Sequence, residues 1–297
     1  MVMKRLAGLR RAQGIERVID HLQDCLREQQ ALPDVTSLAT VAHQSPYHFQ
    51  RLYRALTGES PGQTLDRLRL LNALQALQQP DASVTDAALA AGYESAQALA
   101  RRCRQRLDTT PRALRADATL RQQWQQVLAQ PPVDVDAATA APLKVEVRAL
   151  QPFEVVLLRA QGAFGDLDAS FGRLYEWAQA QGLADDLLHL VGIAIDDHRD
   201  VPAQAHRFDC GMGFATALPQ LSSPLRRQAL GIGPHAVVHH VGPYEQLQAV
   251  GDALLRDWWP DSGHALAEAP LYFHFLDDPE QVPALQLRAD VCLPLAG

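Results

Sequence analysis

The side chains best equipped for chemistry in the first half of this chain are hydrogen-bond donors set at helical spacing. Residues 45–58 read Ser-Pro-Tyr-His-Phe-Gln-Arg-Leu-Tyr-Arg-Ala-Leu-Thr-Gly. Ser45 is expected to cap a helix whose first residue is Pro46. Phe49, Leu52, Tyr53 and Leu56 then fall on one face, while His48, Gln50, Arg51 and Arg54 lie mostly off it. The paired donors of Gln and Arg match the adenine and guanine edges displayed in the major groove. A helix of this kind buries one side and offers the other to DNA. A second set, Gln97, Arg101, Arg102 and Arg104, follows about fifty residues later.

The elements that must hold these side chains can be read around them. Residues 35–42 form a short helix and His43-Gln44 a tight turn, so that with the helix after Ser45 they lay out a helix-turn-helix. Residues 84–91, the turn Gly92-Tyr93-Glu94 and the segment from Ser95 to Cys103 repeat that layout. Ile15, Val18, Ile19, Leu22, Cys25 and Leu26 recur at helical spacing, as expected of a helix packed on the first unit. A further helix begins at Pro61-Gly62, carries Leu65, Leu68, Leu71, Leu74 and Leu77, and ends near Pro80. It acts as a spacer that fixes the phase of the two recognition helices, so that both reach successive major grooves ~34 Å apart. Leu120 to Leu128 closes this all-α half, with Trp124 as a packing residue.

Residues 131–142, rich in Pro and Ala and without periodicity, read as a linker. Beyond it the sequence repeats at an offset of 80 to 81 residues. Val155-Val156-Leu157-Leu158 answers Ala236-Val237-Val238-His239, Gly162-Ala163-Phe164 answers Gly242-Pro243-Tyr244, and Trp177 answers Trp258. Asp196-Asp197 and Arg207-Phe208-Asp209 likewise answer Asp277-Asp278 and Arg288-Ala289-Asp290. Each copy reads as strand, helix, strand, strand. The pair predicts an α+β domain with an antiparallel sheet, two helices on one face and a groove between the copies. The paired aromatics Phe164 and Tyr244, Trp177 and Trp258 are its expected lining for a small molecule.

Charge divides the chain in the same place. Residues 1–128 hold 17 Lys and Arg against 12 Asp and Glu, a balance of +5, whereas the rest hold 10 against 22, a balance of -12. The first part suits phosphate contact, and the second would be repelled by DNA. His235, His239 and His240 cluster in sequence, but alternation on a strand puts neighbours such as His239 and His240 on opposite faces; no metal site, cofactor or catalytic set is expected. Cys25, Cys103, Cys210 and Cys292 are too far apart in sequence to suggest zinc or a disulfide frame. No run of eighteen apolar residues and no signal-like start occurs, so the expected location is the cytoplasm, without membrane contact.

These motifs carry two resemblances. The pattern Leu38-Ala39, Ser45 to Tyr53, Gly58, Pro61, Arg69-Leu70, Ala88-Leu89, Gly92 to Ser95, Arg101, Pro111 and Arg115 resembles the AraC/XylS transcription regulators over about residues 12 to 118. That resemblance implies base and phosphate contacts from Tyr47, Gln50 and Arg51 in the first unit and from Ala96, Gln97 and Arg101 in the second. Ala87, Leu99, Cys103 and Leu107 are smaller than the family's usual residues in the second unit. The first unit is therefore expected to do most of the base reading, and Arg101, Arg102 and Arg104 to anchor phosphates. Residues 143 to 295 are similar to the GyrI-like effector-binding domains of Rob-type regulators, through Gly242-Pro243-Tyr244, Trp258, Ser262-Gly263, Leu276 to Pro279, Arg288 to Asp290 and Leu293-Pro294. Relatives bind lipophilic cations with a carboxylate at the position held here by Phe273, which with Phe275 joins the expected lining. The effector is then a neutral apolar molecule, or a cation paired with Glu176, Glu245 or Glu268.

The expected protein is a transcription regulator in three parts. Residues 1–128 form a double helix-turn-helix domain, 129–142 a linker and 143–297 an effector-binding domain. Its partners are double-stranded promoter DNA, a small hydrophobic or cationic effector, and RNA polymerase. The alternative is a ligand-sequestering or small-molecule hydrolase module with a weakened DNA-binding domain.

Overall fold

The computed structural model describes residues 2–28, 30–44, 46–79, 81–130, 143–162, 167–196 and 203–297, without the side chains of residues 2–13, 46–48 and 203. Two compact units divide the chain, Arg11–Val135 and Asp136–Gly297, the second grouped with Met1–Arg10.

The first unit is all helix, from Arg11 in α1 (Val2–Arg27) through α2 (Val35–Val41), α3 (Pro46–Thr57), α4 (Pro61–Ala76), α5 (Val84–Ala90), α6 (Ala96–Leu107), α7 (Pro111–Ala116) and α8 (Ala118–Ala129) among its described residues. Local chemistry sets the starts. Asp34, Ser60, Ser83, Ser95, Thr110 and Asp117 each accept a backbone N–H from the first turn of the helix they cap, and at Ser60 and Ser83 the bond is reciprocated from Gln63 and Asp86. Ile15, Val18, Leu22 and Cys25 of α1 are buried, and Arg17 reaches the carbonyls of Val41 and Ala42 at the end of α2, both at 3.4 Å. The second helix-turn-helix is not short of packing. Ala87, Leu99, Cys103 and Leu107 are buried with Leu70, Leu74, Leu77, Leu114 and Leu128, and Tyr93 and Trp124 pack against them, so α4, α7 and α8 supply the bulk that α5 and α6 lack.

The second unit holds β1 (Val145–Ala149), β2 (Phe153–Gln161), α9 (Leu167–Ala180), β3 (Leu187–Ala194), β4 (Arg207–Phe214), β5 (Arg226–Leu230), β6 (Pro234–Val241), α10 (Leu247–Ala253), a π turn over Leu254–Trp258, α11 (Trp259–Ser262), β7 (Tyr272–Phe275) and β8 (Arg288–Pro294). The strands form one sheet in the order β1-β6-β8-β7-β3-β4-β2-β5, with antiparallel neighbours. Each repeat therefore carries one more strand than its sequence pattern showed. β1 opens the first repeat and β5 the second, yet β1 pairs with β6 and β5 with β2, so each repeat lends its first strand to the outer edge of the other. Register corrects one correspondence: Arg159 lies opposite Asp209 and His239 opposite Asp290, so β2 answers β6 at an offset of 80 and Val156, not Val155, answers Ala236. The offset is still 80 at Leu167 and Leu247 and is 81 at Gly182 and Gly263, after the π turn, which takes one extra residue.

Side-chain alternation sorts the sheet into two faces. Val156, Leu158, Phe208, Cys210, Phe273, Phe275 and Val291 share the face covered by α9 and α10. Val155, Leu157, Val191, Ile193, Val237, Tyr272 and Cys292 form a separate buried cluster on the other. That face is concave. Phe153 and Tyr272 stand three strands apart, ~14 Å on a flat sheet, yet their rings are 6.4 Å apart. Phe153 also stacks on His189 at 4.1 Å, and His189 Nδ1 lies 3.2 Å from His274 Nε2.

Burial pushes the pKa of His189, His274 and His235 below the ordinary imidazole value. The unfolded chain then takes up these protons first, so stability is complete above about pH 6.5 and declines as pH falls toward the folded values. Thermal melts should show the transition of this unit falling from pH 7 to pH 5, and a His189→Gln, His274→Gln variant should flatten the slope. An unaltered slope would assign the acid sensitivity to other groups.

Candidate functional site

Helix α3 presents its polar residues as its amphipathic pattern requires, with one exception. Phe49, Leu52 and Tyr53 are buried, Gln50 is exposed and Arg51 half-buried. Arg54 is only 7% exposed, with Nη1 3.4 Å from Gln63 Oε1 at the start of α4. It lies on the inner side of the helix and is removed from the set expected to meet DNA. Ser45 and the side chains of Tyr47 and His48 lie outside the described residues.

On α6 the buried row Leu99, Cys103, Leu107 leaves Gln97, Arg101 and Arg104 exposed. Arg102 is engaged within the unit, where its Nε donates to Asp66 Oδ1 of α4 at 2.5 Å, and Arg106 Nε approaches Asp66 Oδ2 at 3.4 Å. The two arginines tie α6 to α4. Sequence reasoning passed over Arg112. It joins Gln97, Arg104, Thr110 and Arg115 around a concave surface between α6 and α7, where cations at i and i+3 on the short α7 extend the basic face.

In the second unit the aromatic residues divide between two places. Phe275 meets Phe171 edge-on at 5.9 Å and Tyr244 at 4.8 Å, on the helix-covered face near the line where β3 and β7 join the two repeats. Phe171, Tyr244 and Phe275 are all half-buried, whereas Phe273 is 1% exposed and lies in the floor. Gly192, opposite Phe273 in the register, leaves the space that the Phe208 and Phe275 rings occupy. A Cβ there would stand 2.5 Å from the Phe208 ring and 3.0 Å from Phe275. Trp177 and Trp258 have other ring partners: Trp177 packs on Phe214 at 6.3 Å and Trp258 stacks on His264 at 6.0 Å. Phe164 lies outside the described residues. Phe171 was legible as a helix-face residue, but its pairing with Phe275 depends on the sheet order.

The repeated Asp and Arg residues explain how Tyr244 is held. Arg207 donates to both oxygens of Asp196, at 2.8 and 2.7 Å, and Arg288 to both oxygens of Asp277, at 2.9 and 2.7 Å. These charge-assisted bonds lower the pKa of both carboxyls, and each pair closes the connection between the last two strands of its repeat. Tyr244 Oη then lies 2.8 Å from the carbonyl of Asp277 and 3.0 Å from that of Arg288. With its hydroxyl proton committed there, Tyr244 turns its ring to Phe275. Glu176, Glu245 and Glu268 are exposed.

Residues 143–296 match the model of the GyrI-like small molecule binding domain, and residues 38–117 that of a helix-turn-helix domain. The chain belongs to the GyrI-like family. It is similar to the probable transcriptional regulator YgiV of Escherichia coli (strain K12), 29% identical over 131 residues covering 44% of this chain and 82% of YgiV. It is also similar to the probable transcription factor PqrA of Proteus vulgaris, 30% identical over 108 residues covering 35% of this chain and 88% of PqrA. Among solved structures, the DNA-binding domain of AdpA in complex with a target DNA is 34% identical, covers 34% of this chain and 90% of its own, and superposes with a TM-score of 0.31. In this GyrI-like chain the helix-turn-helix of AraC type therefore precedes the small-molecule domain. Among the described residues no helix is long and apolar enough to cross a membrane, and no group of three or more potential metal ligands occurs.

Proposed function

We propose that this GyrI-like chain is a sequence-specific DNA-binding transcription regulator whose second domain takes a small effector. The observation that carries the reading is the pair of helix-turn-helix units joined by α4. One exposes Gln50, the other Gln97, Arg101 and Arg104, and the Arg102–Asp66 pair holds the second in place. Side chains of this kind read base edges and neutralise phosphates. YgiV and PqrA, both named as probable transcription regulators, support a regulatory rather than an enzymatic role.

The effector site is the groove at Phe171, Tyr244 and Phe275. Its described side chains present ring faces, and Phe273 occupies the floor. A neutral, flat, apolar molecule fits such a lining, since a desolvated cation would gain only about 0.5 to 2 kcal/mol from ring faces without a carboxylate. Binding acts on transcription by favouring one of two states of the protein on DNA, with RNA polymerase as the partner that reads the difference.

The test joins DNA selection with calorimetry. Random-sequence selection should yield a defined site bound more tightly than bulk DNA, and of a matched pair of aromatic compounds, one neutral and one quaternary ammonium, the neutral one should bind the full chain more tightly. Failure to enrich any sequence would overturn the regulator reading; preference for the cation would overturn the neutral-effector assignment alone.

A further inference from the structure

The two outer strands of the sheet occupy equivalent places in the repeats and carry opposite chemistry. At one end stands β1, Val145-Glu146-Val147-Arg148-Ala149; at the other β5, Arg226-Arg227-Gln228-Ala229-Leu230. Among the described residues each has one side without a strand neighbour, and an open edge is a template for another chain. From Glu146 to Ala149 the residues of β1 are exposed, Val147 to 45%.

We propose that β1 is a self-association surface whose partner is the same strand of a second copy of this chain. Antiparallel pairing about a twofold axis at Val147 places Val147 opposite Val147, Val145 opposite Ala149, and Glu146 opposite Arg148 twice over. The sequence is thus complementary to its own reverse in charge and in side-chain face. Glu146 and Arg148 project from the concave face, opposite Val237 and His235 of β6, while Val145 and Val147 project from the other. Arg148 already donates to Asp290 at 3.0 Å, and the guanidinium fork has donors left for a second carboxylate. The β5 edge cannot do the same. Reversed on itself about Gln228 it sets Arg226 against Leu230 and Arg227 against Ala229, with four arginines from two copies at one short edge, each already held by Asp209 or Glu154 of its own chain. One edge is open to its own kind and the other is protected, so the contact closes as a twofold dimer.

Sedimentation velocity of the full chain across a wide concentration range tests this. The wild type should show a concentration-dependent dimer. Glu146→Arg sets Arg against Arg at both cross-strand pairs and should weaken association by about tenfold or more, since two opposite-charge pairs are lost and two like-charge pairs replace them. Arg148→Glu should do the same, and mixing the two variants should restore a heterodimer, because each residue then meets its opposite. Glu146 has an exposed side chain, so that variant remains informative if Arg148→Glu disturbs the Asp290 pair and fails to fold. A wild type that stays monomeric throughout, a Glu146→Arg variant that associates as before, or growth beyond a dimer through β1 on β5 would each overturn the assignment.

Discussion

Replacing Gln50 and Arg51 together by alanine should leave the chain folded and able to hold DNA, but without preference for its own site. Gln50 is exposed and Arg51 half-buried, and the row that holds α3 in place, Phe49, Leu52 and Tyr53, is untouched. A well-placed bidentate contact discriminates against the wrong base by about 1 to 3 kcal/mol, so losing two should bring specific binding down toward the non-specific level by about 2 to 6 kcal/mol. Non-specific affinity should fall less, because Arg101 and Arg104 of α6 and Arg112 of α7 remain. The contrast is Arg101→Ala, which should weaken cognate and scrambled DNA alike and reduce the slope of log K against log salt by about 0.9. Titrations of both variants at several salt concentrations separate the roles. If the double variant keeps its ratio of specific to non-specific binding, α3 is not the reading helix; if Arg101→Ala loses specificity with an unchanged salt slope, the second unit reads bases as well.

The division into a helical half and a duplicated α+β half was legible because both rest on local signals. Caps at Ser60, Ser83 and Ser95 and apolar residues at helical spacing give the first, and self-similarity gives the second. β1 and β5 escaped notice for a physical reason. β5 reads Arg-Arg-Gln-Ala-Leu, without apolar alternation, and β1, although Val145-Glu146-Val147-Arg148-Ala149 does alternate, is five residues long and exposed from Glu146 to Ala149, too short a run to stand out from the linker before it. The fates of individual arginines were also hidden. Arg102 and Arg101 are neighbours on α6, but only Arg102 faces α4 and its Asp66, and that depends on a contact 36 residues away in sequence. The tryptophan pair shows that repetition gives equivalence and not location: Trp177 meets Phe214 and Trp258 meets His264, whereas Phe275 meets Phe171 and Tyr244. Phe171 was visible as an apolar helix residue, yet only the pairing of β3 with β7 brings Phe275 beside it.

Arg67→Ala should destabilise the helical unit by about 3 to 5 kcal/mol, the usual cost of leaving one partner of a buried ion pair alone. Glu59, 2% exposed, sits in the turn between the first recognition helix and α4. Arg67 Nε lies 3.1 Å from each of its oxygens, Nη2 also donates to Oε1, and Thr64 Oγ1 donates to Oε1 at 2.8 Å. The same guanidinium reaches the carbonyl of Leu128, at 2.7 Å, near the end of α8. One side chain thus satisfies a buried carboxylate and a helix-end carbonyl 61 residues away in sequence, linking the turn after α3 to the last helix of the unit. Without it Glu59 keeps a single hydroxyl donor in a site closed to water. Because the chain holds two compact units, the expected result in a denaturation curve is movement of one transition: that of the helical unit, followed at Trp124 of α8, with the other in place. A double variant, Glu59→Leu with Arg67→Met, should recover most of the loss, since apolar side chains of similar volume remove the desolvation cost together with the pair. Recovery would be incomplete, because Leu128 loses its donor in either case. A single variant that melts with the wild type would place the hold on α8 in the apolar contacts of Leu128 and Trp124 instead.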